Sequence, residues 1–390
     1  MKTLTGILEW PARAEGRVRQ IANSAIIESA SDPYVPLAFG ERYPLRQALE
    51  VEVEVVEKFS KRRRRGKKAG PRVPRPVVES FLSIEGMEPD RFSDCKPFEE
   101  LTSIDPQPRI TLEYPGCPDS CRLIDLFCPI GRGQRGLIVS PPKAGKTTLL
   151  KDIATAILTN HEDIRLIFLL VDERPEEVTD FRRSFIGDDK PWAGRADLIA
   201  SSNDHDVERH IAVSMLCMER CKRMVEAGKH VVVMLDSLTR VGRAFNRSQK
   251  HASSGRTMSG GIDSRALEIP KKIFGSARNT EEAGSLTMLA SCLVDTGSRG
   301  DQLIFEEFKG TGNMELVLDR KISEQRLFPA IDLAGSGTRK EHLLMGEQEL
   351  ATMTALRRRM MNMHPPQQVE QLLAAMARFE TNAQLVGSAG

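Results

Sequence analysis

Short alternating runs of apolar and polar residues dominate the first part of the chain. Residues 5–10 and 24–28 are brief runs with strand character, and residues 51–55 alternate valine with glutamate, as a half-buried strand does. Proline and glycine separate these runs. The pattern predicts a small β domain within residues 1–59, and several short strands over that length are typical of a small barrel.

The pattern changes near residue 120, where apolar runs begin to alternate with helical periodicity. Residues 165–171 and 231–235 are nearly continuous apolar runs, as expected of strands buried on both faces. Residues 206–228 carry apolar side chains at spacings of three and four, as one face of a helix does. Strands that alternate with helices predict a parallel sheet covered by helices, so we expect an α/β domain.

One strand-to-helix connection has the composition of a phosphate-binding loop. Residues 136–139 can form a buried strand, a Pro/Gly-rich turn follows, and Gly145-Lys146-Thr147 opens the next predicted helix. Such a P-loop directs backbone N–H groups and the positive end of the helix dipole at phosphates. Lys146 is then expected to reach the β- and γ-phosphates, and Thr147 to ligate Mg²⁺. Ser140 stands where the strict motif has glycine.

Acidic residues close two of the predicted buried strands. Asp172 and Glu173 follow residues 165–171, and Asp236 follows residues 231–235. Ligands of open α/β sheets bind at the carboxyl ends of the strands, so these acids are expected beside the phosphate loop. Glu173 is the predicted residue that activates the attacking water, and Asp236 is predicted to hold Mg²⁺, partly through water. The three strands together predict an ATP site.

Two polar, Gly-rich segments follow the second acidic strand. Residues 246–261 and 295–301 are too hydrophilic for a core and carry the cations Lys250, Arg256 and Arg299. The segments suit a grip on a polyanion that changes with nucleotide state. Ordinary surface loops are the alternative.

A third exposed turn is predicted near the end of the chain. Residues 332–341 place Arg339 on a Gly-flanked turn before a helix. A permanently charged guanidinium there could reach the nucleotide of a neighbouring subunit. Residues 347–381 have the pattern of an amphipathic helix.

Composition narrows the class of protein. The 390 residues allow roughly two to three domains. No apolar run is long enough to cross a membrane and no signal core follows Met1, which predicts a cytoplasmic protein without membrane contact. Seven scattered cysteines do not read as a disulfide framework. The net charge is only +2, so a polyanion partner must meet local basic patches.

A strongly basic run separates the predicted domains. Residues 61–68 contain seven cations, and they are interpreted as a solvated segment that either clamps a phosphate backbone or only solubilises the chain. The sequence thus predicts an N-terminal barrel over residues 1–59, a basic and Pro-containing linker over residues 60–115, and an ATPase domain with C-terminal helices over residues 116–390.

Several long motifs occur together in a fixed order, and with them the chain resembles the bacterial transcription termination factor Rho family. The motifs are residues 129–136, 141–147, 172–178, 235–237, 295–298, 307–316 and 336–341. The resemblance implies a RecA-like P-loop ATPase domain behind a small barrel of the oligonucleotide-binding, cold-shock-like type. It implies a homo-hexamer that hydrolyses ATP with Mg²⁺, threads single-stranded RNA and moves 5′ to 3′, with the RNA polymerase elongation complex as a partner.

The resemblance also assigns residues. It implies that Glu173 activates water, that Lys146 acts with it, and that Arg339 is an arginine finger acting on a neighbouring subunit, while Arg174 lies in the same acidic motif. Phe328 matches an adenine-stacking position. The nucleotide-binding residues it implies are Pro142, Lys143, Ala144, Gly145, Lys146, Thr147, Thr148, Asp236 and Phe328. The loops of Arg256 and Arg299 match the elements that grip RNA in a central channel.

The chain departs from the family pattern in several places. Both channel cations are arginines where the family usually has lysines. The aromatic segment expected of the barrel is replaced by residues 16–19, so backbone contacts by Arg17 and Arg19 are predicted to substitute for base stacking. Thr148 stands where an apolar residue is common, and Gly335 where an arginine is common.

The sequence therefore predicts an RNA-stimulated ATPase of the helicase type that terminates transcription. A divergent paralogue that binds RNA or RNA polymerase as a regulator, with little motor activity, is the first alternative. The catalytic subunit of a rotary ATPase is the second, because it shares the phosphate loop and a segment like residues 172–174.

Overall fold

The structure is a computed structural model that describes residues 2–388 apart from 11–14, 23–24, 28, 30 and 60–73. It divides into one unit of residues 1–101 and 216–228 and a second unit of residues 102–215 and 229–390.

The first unit contains a closed β-barrel. Its strands are β1 (Lys2–Glu9), β2 (Gly16–Ala22), β3 (Ala25–Ile27), β4 (Tyr34–Val35), β5 (Glu50–Phe59) and β6 (Pro74–Ile84). The strand order is β1-β5-β6-β4-β2-β3, and an additional pairing of β1 with β2 closes the ring. Val51 and Val53 are fully buried while Glu52 and Glu54 are not, which confirms the alternation predicted from sequence.

The last barrel strand lies inside the range that the sequence assigned to a linker. Strand β6 pairs along its length with β5, up to the partners Phe59 and Pro74. Val78, Phe81 and Ile84 of this strand are buried in the barrel core. Prolines at its start hide the strand in sequence, because proline is usually a sign of a loop. The basic run of residues 61–68 lies outside the described residues.

The second unit is built on a mostly parallel sheet. The strands of this unit are β7 (Ser103–Ile104), β8 (Arg109–Ile110), β9 (Ile130–Gly131), β10 (Arg135–Ser140), β11 (Ile164–Glu173), β12 (Ala196–Ser202), β13 (His230–Asp236), β14 (Arg278–Thr280), β15 (Ser285–Leu293), β16 (Met314–Val317) and β17 (Gly337–Thr338). The strand order of the sheet is β12-β11-β13-β15-β10-β16-β17. The parallel arrangement brings the carboxyl ends of β10, β11 and β13 to one edge.

Helices complete both units. They are α1 (Ala38–Arg42), α2 (Pro89–Phe92), α3 (Asp119–Phe127), α4 (Lys146–Asn160), α5 (Pro175–Phe185), α6 (Val207–Glu226), α7 (Leu238–Arg247), α8 (Glu268–Gly275), α9 (Arg299–Lys309), α10 (Arg320–Glu324), α11 (Glu347–Met360), α12 (Pro365–Met376) and α13 (Asn382–Ser388). The C-terminal tail is thus not the single helix predicted over residues 347–381, because Pro365 and Pro366 cannot continue α11 and instead begin α12.

Within the described residues, no helix is both long enough and apolar enough to span a membrane.

Candidate functional site

The predicted phosphate loop joins the end of β10 to the start of α4. Gly145 precedes the helix with a φ of 87°, in the left-handed region that favours glycine. Ser140 is buried, and its hydroxyl donates to the carbonyl of Pro141 at 3.0 Å. The departure from the strict motif is therefore accommodated inside the loop, and α4 presents its N-terminal N–H groups there.

Lys146 and Asp236 form a direct ion pair at this edge of the sheet. The Nζ atom of Lys146 donates to both carboxylate oxygens of Asp236, at 2.5 and 2.6 Å. Ser291 of β15 donates a further hydrogen bond to Asp236 Oδ1 at 2.7 Å. Asp236 is 1% exposed, so its charge is neutralised within the protein.

Glu173 lies at the end of the neighbouring strand β11 and is almost completely buried. Oε1 accepts a hydrogen bond from Arg240 Nη2 at 3.0 Å, whereas Oε2 is buried without a partner. Burial, and then the negative charge of Asp236, raise the pKa of Glu173 to about 7, although Lys146 and Arg240 oppose the shift. A carboxylate with a pKa near neutrality and an open acceptor is suited to accept a proton from water.

Arg240 is a candidate site residue that the sequence motifs did not indicate. It lies in the first turn of α7, and its guanidinium donates to the carbonyl oxygen of Asp172 as well as to Glu173. The only signal in the sequence is its position four residues after Asp236. Arg174, by contrast, is exposed, and it precedes α5.

A cavity of 450 Å³ lies beside the phosphate loop. Lys143, Ala144, Gly145 and Thr148 line one side of it, and Phe328 lines another. A Cβ atom added to Gly145 would lie 3.4 Å from the Phe328 ring, so the ring approaches the start of α4 closely. Phe328 is 48% exposed, which leaves a ring face free to stack on a base. Pro142 and Thr147 lie in the same loop and first turn.

Arg339 is exposed and does not line the cavity beside the phosphate loop. It follows β17, and its backbone N–H donates to the carbonyl of Asn313 at 2.9 Å. Arg357 of α11 holds the preceding turn by donating to the carbonyls of Leu333 and Ser336, both at 3.0 Å. The turn is therefore fixed while the Arg339 side chain faces solvent.

The two predicted channel loops meet in the structure. A Cβ atom added to Gly260 would lie 2.6 Å from the backbone nitrogen of Gly300, so the loops touch through their backbones. Arg256, Lys250 and Arg299 are all exposed. Their charges are thus accessible to solvent on two segments that touch, as a polyanion contact requires.

The two barrel arginines predicted to contact RNA, Arg17 and Arg19, differ in how far they are exposed to solvent. Arg19 is 6% exposed, and it pairs with Glu9 at 2.6 Å and with Asp32 at 2.8 Å. This burial does not support the prediction that Arg19 contacts RNA. Arg17 is partly exposed, its guanidinium lies 3.9 Å from the centre of the Tyr34 ring, and it donates to the Tyr34 hydroxyl at 2.8 Å.

Metal sites made of several His, Cys, Asp or Glu side chains are absent from the described part of the chain. The seven cysteines all lie in the described residues and form no disulfide bonds. Thr147 and Asp236 nevertheless offer hydroxyl and carboxylate oxygens at the phosphate edge, the ligand type that Mg²⁺ prefers.

Residues 120–338 match the protein family described as "ATP synthase alpha/beta family, nucleotide-binding domain". Two solved structures share the fold. An ATPase from the type III secretion system of pathogenic bacteria has a TM-score of 0.58 at 23% identity, with 73% of this chain and 77% of that chain covered. The ATP synthase subunit NeqB of Nanoarcheaum equitans has a TM-score of 0.56 at 16% identity, with 65% and 62% covered. The predicted RecA-like fold is confirmed.

Curated relatives are more similar in sequence. Transcription termination factor Rho of Aquifex aeolicus is 44% identical over 383 residues, which is 98% of this chain and 83% of that protein. The same factor of Borreliella burgdorferi is 50% identical over 78% of this chain, and that of Streptomyces lividans is 45% identical over 94%. The chain spans 57% and 49% of the length of these last two relatives.

Proposed function

This chain belongs to the transcription termination factor Rho family, and we propose that it hydrolyses ATP to move along RNA and terminate transcription. The observation that carries the proposal is the placement of Glu173. Its unpartnered buried oxygen lies in a site that also holds the Lys146–Asp236 pair at the end of a phosphate-binding loop.

The chemistry assigned to this site follows from the charges. Lys146 and the N–H groups at the start of α4 bind the β- and γ-phosphates. Glu173 orients the attacking water and accepts its proton, which its raised pKa favours. Thr147 and Asp236 would hold Mg²⁺, which would neutralise charge on the phosphate oxygens. Phe328 stacks on the base, and Arg240 keeps the Glu173 carboxylate oriented.

We further propose that the active assembly is a homo-hexamer. Arg339 is exposed and lies away from the cavity of its own chain, so it suits the nucleotide of an adjacent subunit. An arginine supplied in this way stabilises charge that develops on the transferring phosphoryl group. Arg174, next to Glu173, is proposed as a second residue near that chemistry.

Single-stranded RNA is proposed to bind the joined loops that carry Lys250, Arg256 and Arg299. The backbones of the two loops touch at Gly260 and Gly300, so a shift of one loop is expected to displace the other. Translocation from 5′ to 3′, engagement of the RNA polymerase elongation complex and a cytoplasmic location stay predictions from the family resemblance. The predicted domain boundaries are proposals in the same sense.

A regulatory paralogue with little motor activity is the second candidate. The barrel favours it, because Arg19 is committed to buried carboxylates and Arg17 lies on the Tyr34 ring that a base would need. Such a protein would bind RNA or RNA polymerase without rapid ATP turnover.

Steady-state ATP hydrolysis separates the two candidates. The purified protein is assayed without RNA, with poly(C) and with mixed-sequence RNA, beside a Glu173→Ala control. RNA-stimulated ATP hydrolysis that is lost in Glu173→Ala supports the proposal that the protein moves along RNA. Binding of ATP and RNA without turnover in any condition would favour the regulator.

A further inference from the structure

The cavity beside the phosphate loop has a polar wall that the proposed hydrolysis does not use. Ser120, Thr148 and Asp152 line this wall, and Phe328 lines the cavity with them. Asp152 is partly buried and Ser120 is 3% exposed. Two polar side chains at the edge of a base-sized cavity can distinguish bases by their hydrogen-bonding groups.

The position of Asp152 along α4 places it at the base end of the cavity. Lys146, at the phosphate end, is the first residue of α4, and Asp152 follows six residues later. At a rise of roughly 1.5 Å per residue, the two lie about 9 Å apart along the helix axis. Thr148 and Asp152 are four residues apart and therefore share one face of the helix. A nucleotide whose phosphates lie at Lys146 can thus extend its base along this face.

Ser120 fixes the Asp152 carboxylate. The serine hydroxyl donates to Asp152 Oδ2 at 2.6 Å, across from α3 to α4. In the described part of the chain, this is the hydrogen bond that the Asp152 carboxylate accepts. Asp152 lines the cavity, and its Oδ1 atom can therefore still accept a hydrogen bond from a ligand. An ionised carboxylate accepts hydrogen bonds and cannot donate them.

We propose that Asp152, held by Ser120, accepts a hydrogen bond from the 6-amino group of a purine stacked on Phe328, and so selects adenine nucleotides. The inference rests on the proposed nucleotide site and adds its base specificity. Adenine presents an amino donor at this position, whereas guanine and hypoxanthine present a carbonyl oxygen there. A carboxylate attracts the first and repels the second, because two acceptors cannot share a hydrogen.

Binding of nucleoside diphosphates tests the inference without hydrolysis. The full-length protein is titrated with ADP, with inosine diphosphate and with purine riboside diphosphate, which lacks the 6-amino group. Each competes against a fluorescent ribose-labelled ADP. The wild-type protein is expected to bind ADP on the order of tenfold or more tightly than the other two, since a hydrogen bond to a charged group is lost with them.

Substitutions of Asp152 test whether this residue determines the preference for ADP. Asp152→Ala is expected to remove it, and Asp152→Asn is expected to relax it toward inosine diphosphate, because an amide can also donate to a carbonyl. Asp180→Ala is the matched control: Asp180 is an exposed carboxylate that pairs with Lys151, the neighbour of Asp152. It is expected to keep the wild-type preference.

The outcomes separate the two proposals. Equal binding of the three diphosphates by the wild-type protein, or an unchanged preference in Asp152→Ala, overturns the assignment of Asp152 alone. Failure of every diphosphate to bind overturns the nucleotide site and this inference together.

Discussion

Lys146 Nζ lies within 2.6 Å of both carboxylate oxygens of Asp236, so two residues assigned to phosphate and magnesium bind each other directly. Asp236 is buried, and it also accepts a hydrogen bond from the hydroxyl of Ser291. The pair keeps a buried negative charge compensated next to Glu173, which is itself an acid.

Loss of this pair is expected to destabilise the protein. Lys146→Ala leaves Asp236 charged and buried, which costs on the order of 3 kcal/mol. Urea denaturation without nucleotide measures the change. Lys151→Ala is the control, because Lys151 lies on the same helix and pairs with an exposed acid, and such a pair is worth about 1 kcal/mol or less. Equal effects of the two substitutions would contradict the structural importance assigned to the Lys146–Asp236 pair.

The pKa of Glu173 predicts the pH dependence of hydrolysis. Because its pKa is raised to about 7, the carboxylate is protonated at lower pH, and turnover is expected to fall as the pH drops through 7. Glu173→Gln is expected to lose about 100-fold or more in kcat and to lose this acidic limb. Rates of ATP hydrolysis by both proteins, measured from about pH 5.5 to about pH 9, give the loss in kcat and the pH dependence. An acidic limb that persists in the residual activity of the variant would assign the titration to another group.

The Glu173 carboxyl also makes the stability of the folded protein depend on pH. Since the folded pKa of Glu173 lies above its ordinary value, folding favours the protonated form. The stabilisation of the folded state by protonated Glu173 is fully present below the ordinary pKa of a glutamate. It is lost as the pH rises through about 7. Glu173→Gln should therefore be more stable than the wild-type protein at pH values above 7, and calorimetry at two pH values checks this.

Local motifs explain why the nucleotide site could be predicted and its surroundings could not. Lys146, Glu173 and Asp236 are each attached to an apolar strand or to a glycine turn, so sequence alone places them at one sheet edge. Arg240 and Asp152 act through contacts across helices, and no nearby pattern signals such contacts.

The barrel shows more clearly which contacts a sequence pattern does not predict. Strand alternation predicts which residues of β5 face the core, yet Arg19 is buried next to the buried Val18. Its partners Glu9 and Asp32 come from other parts of the fold. A buried arginine depends on partners that are distant in sequence, so its charge alone suggested an RNA contact.

The contact between the channel loops predicts an effect of a single methyl group. Gly260→Ala places a Cβ atom 2.6 Å from the backbone nitrogen of Gly300, so the loops must separate. RNA stimulation of ATP hydrolysis is expected to fall several-fold, by loss of about 1 kcal/mol or more of coupling between the loops. The measurement is the ratio of turnover with and without saturating RNA.

Gly261→Ala is the matched control for that experiment. Gly260 and Gly261 have φ values of 74° and 78°, so alanine is strained to a similar degree at both. A Cβ atom at Gly261 meets nothing within 4 Å. If both variants lose RNA stimulation equally, backbone strain rather than contact between the loops explains the loss.

Substitutions of the two barrel arginines are expected to affect different properties of the protein. Arg19→Ala removes the partner of Asp32, which is 3% exposed, and should lower the free energy of unfolding by about 3 kcal/mol or more. Arg17→Ala loses a partly exposed contact with Tyr34, which is worth about 1 kcal/mol. Arg75 also lies over the Tyr34 ring, 2.9 Å from its centre, so the substitution does not open the ring to a base. Loss of the Arg17 charge is instead expected to weaken binding of single-stranded RNA. Thermal unfolding and RNA titration of each variant separate the roles. A stable Arg19→Ala protein with weakened RNA binding would support the prediction that Arg19 contacts RNA, because its ion pairs would then contribute little to the barrel.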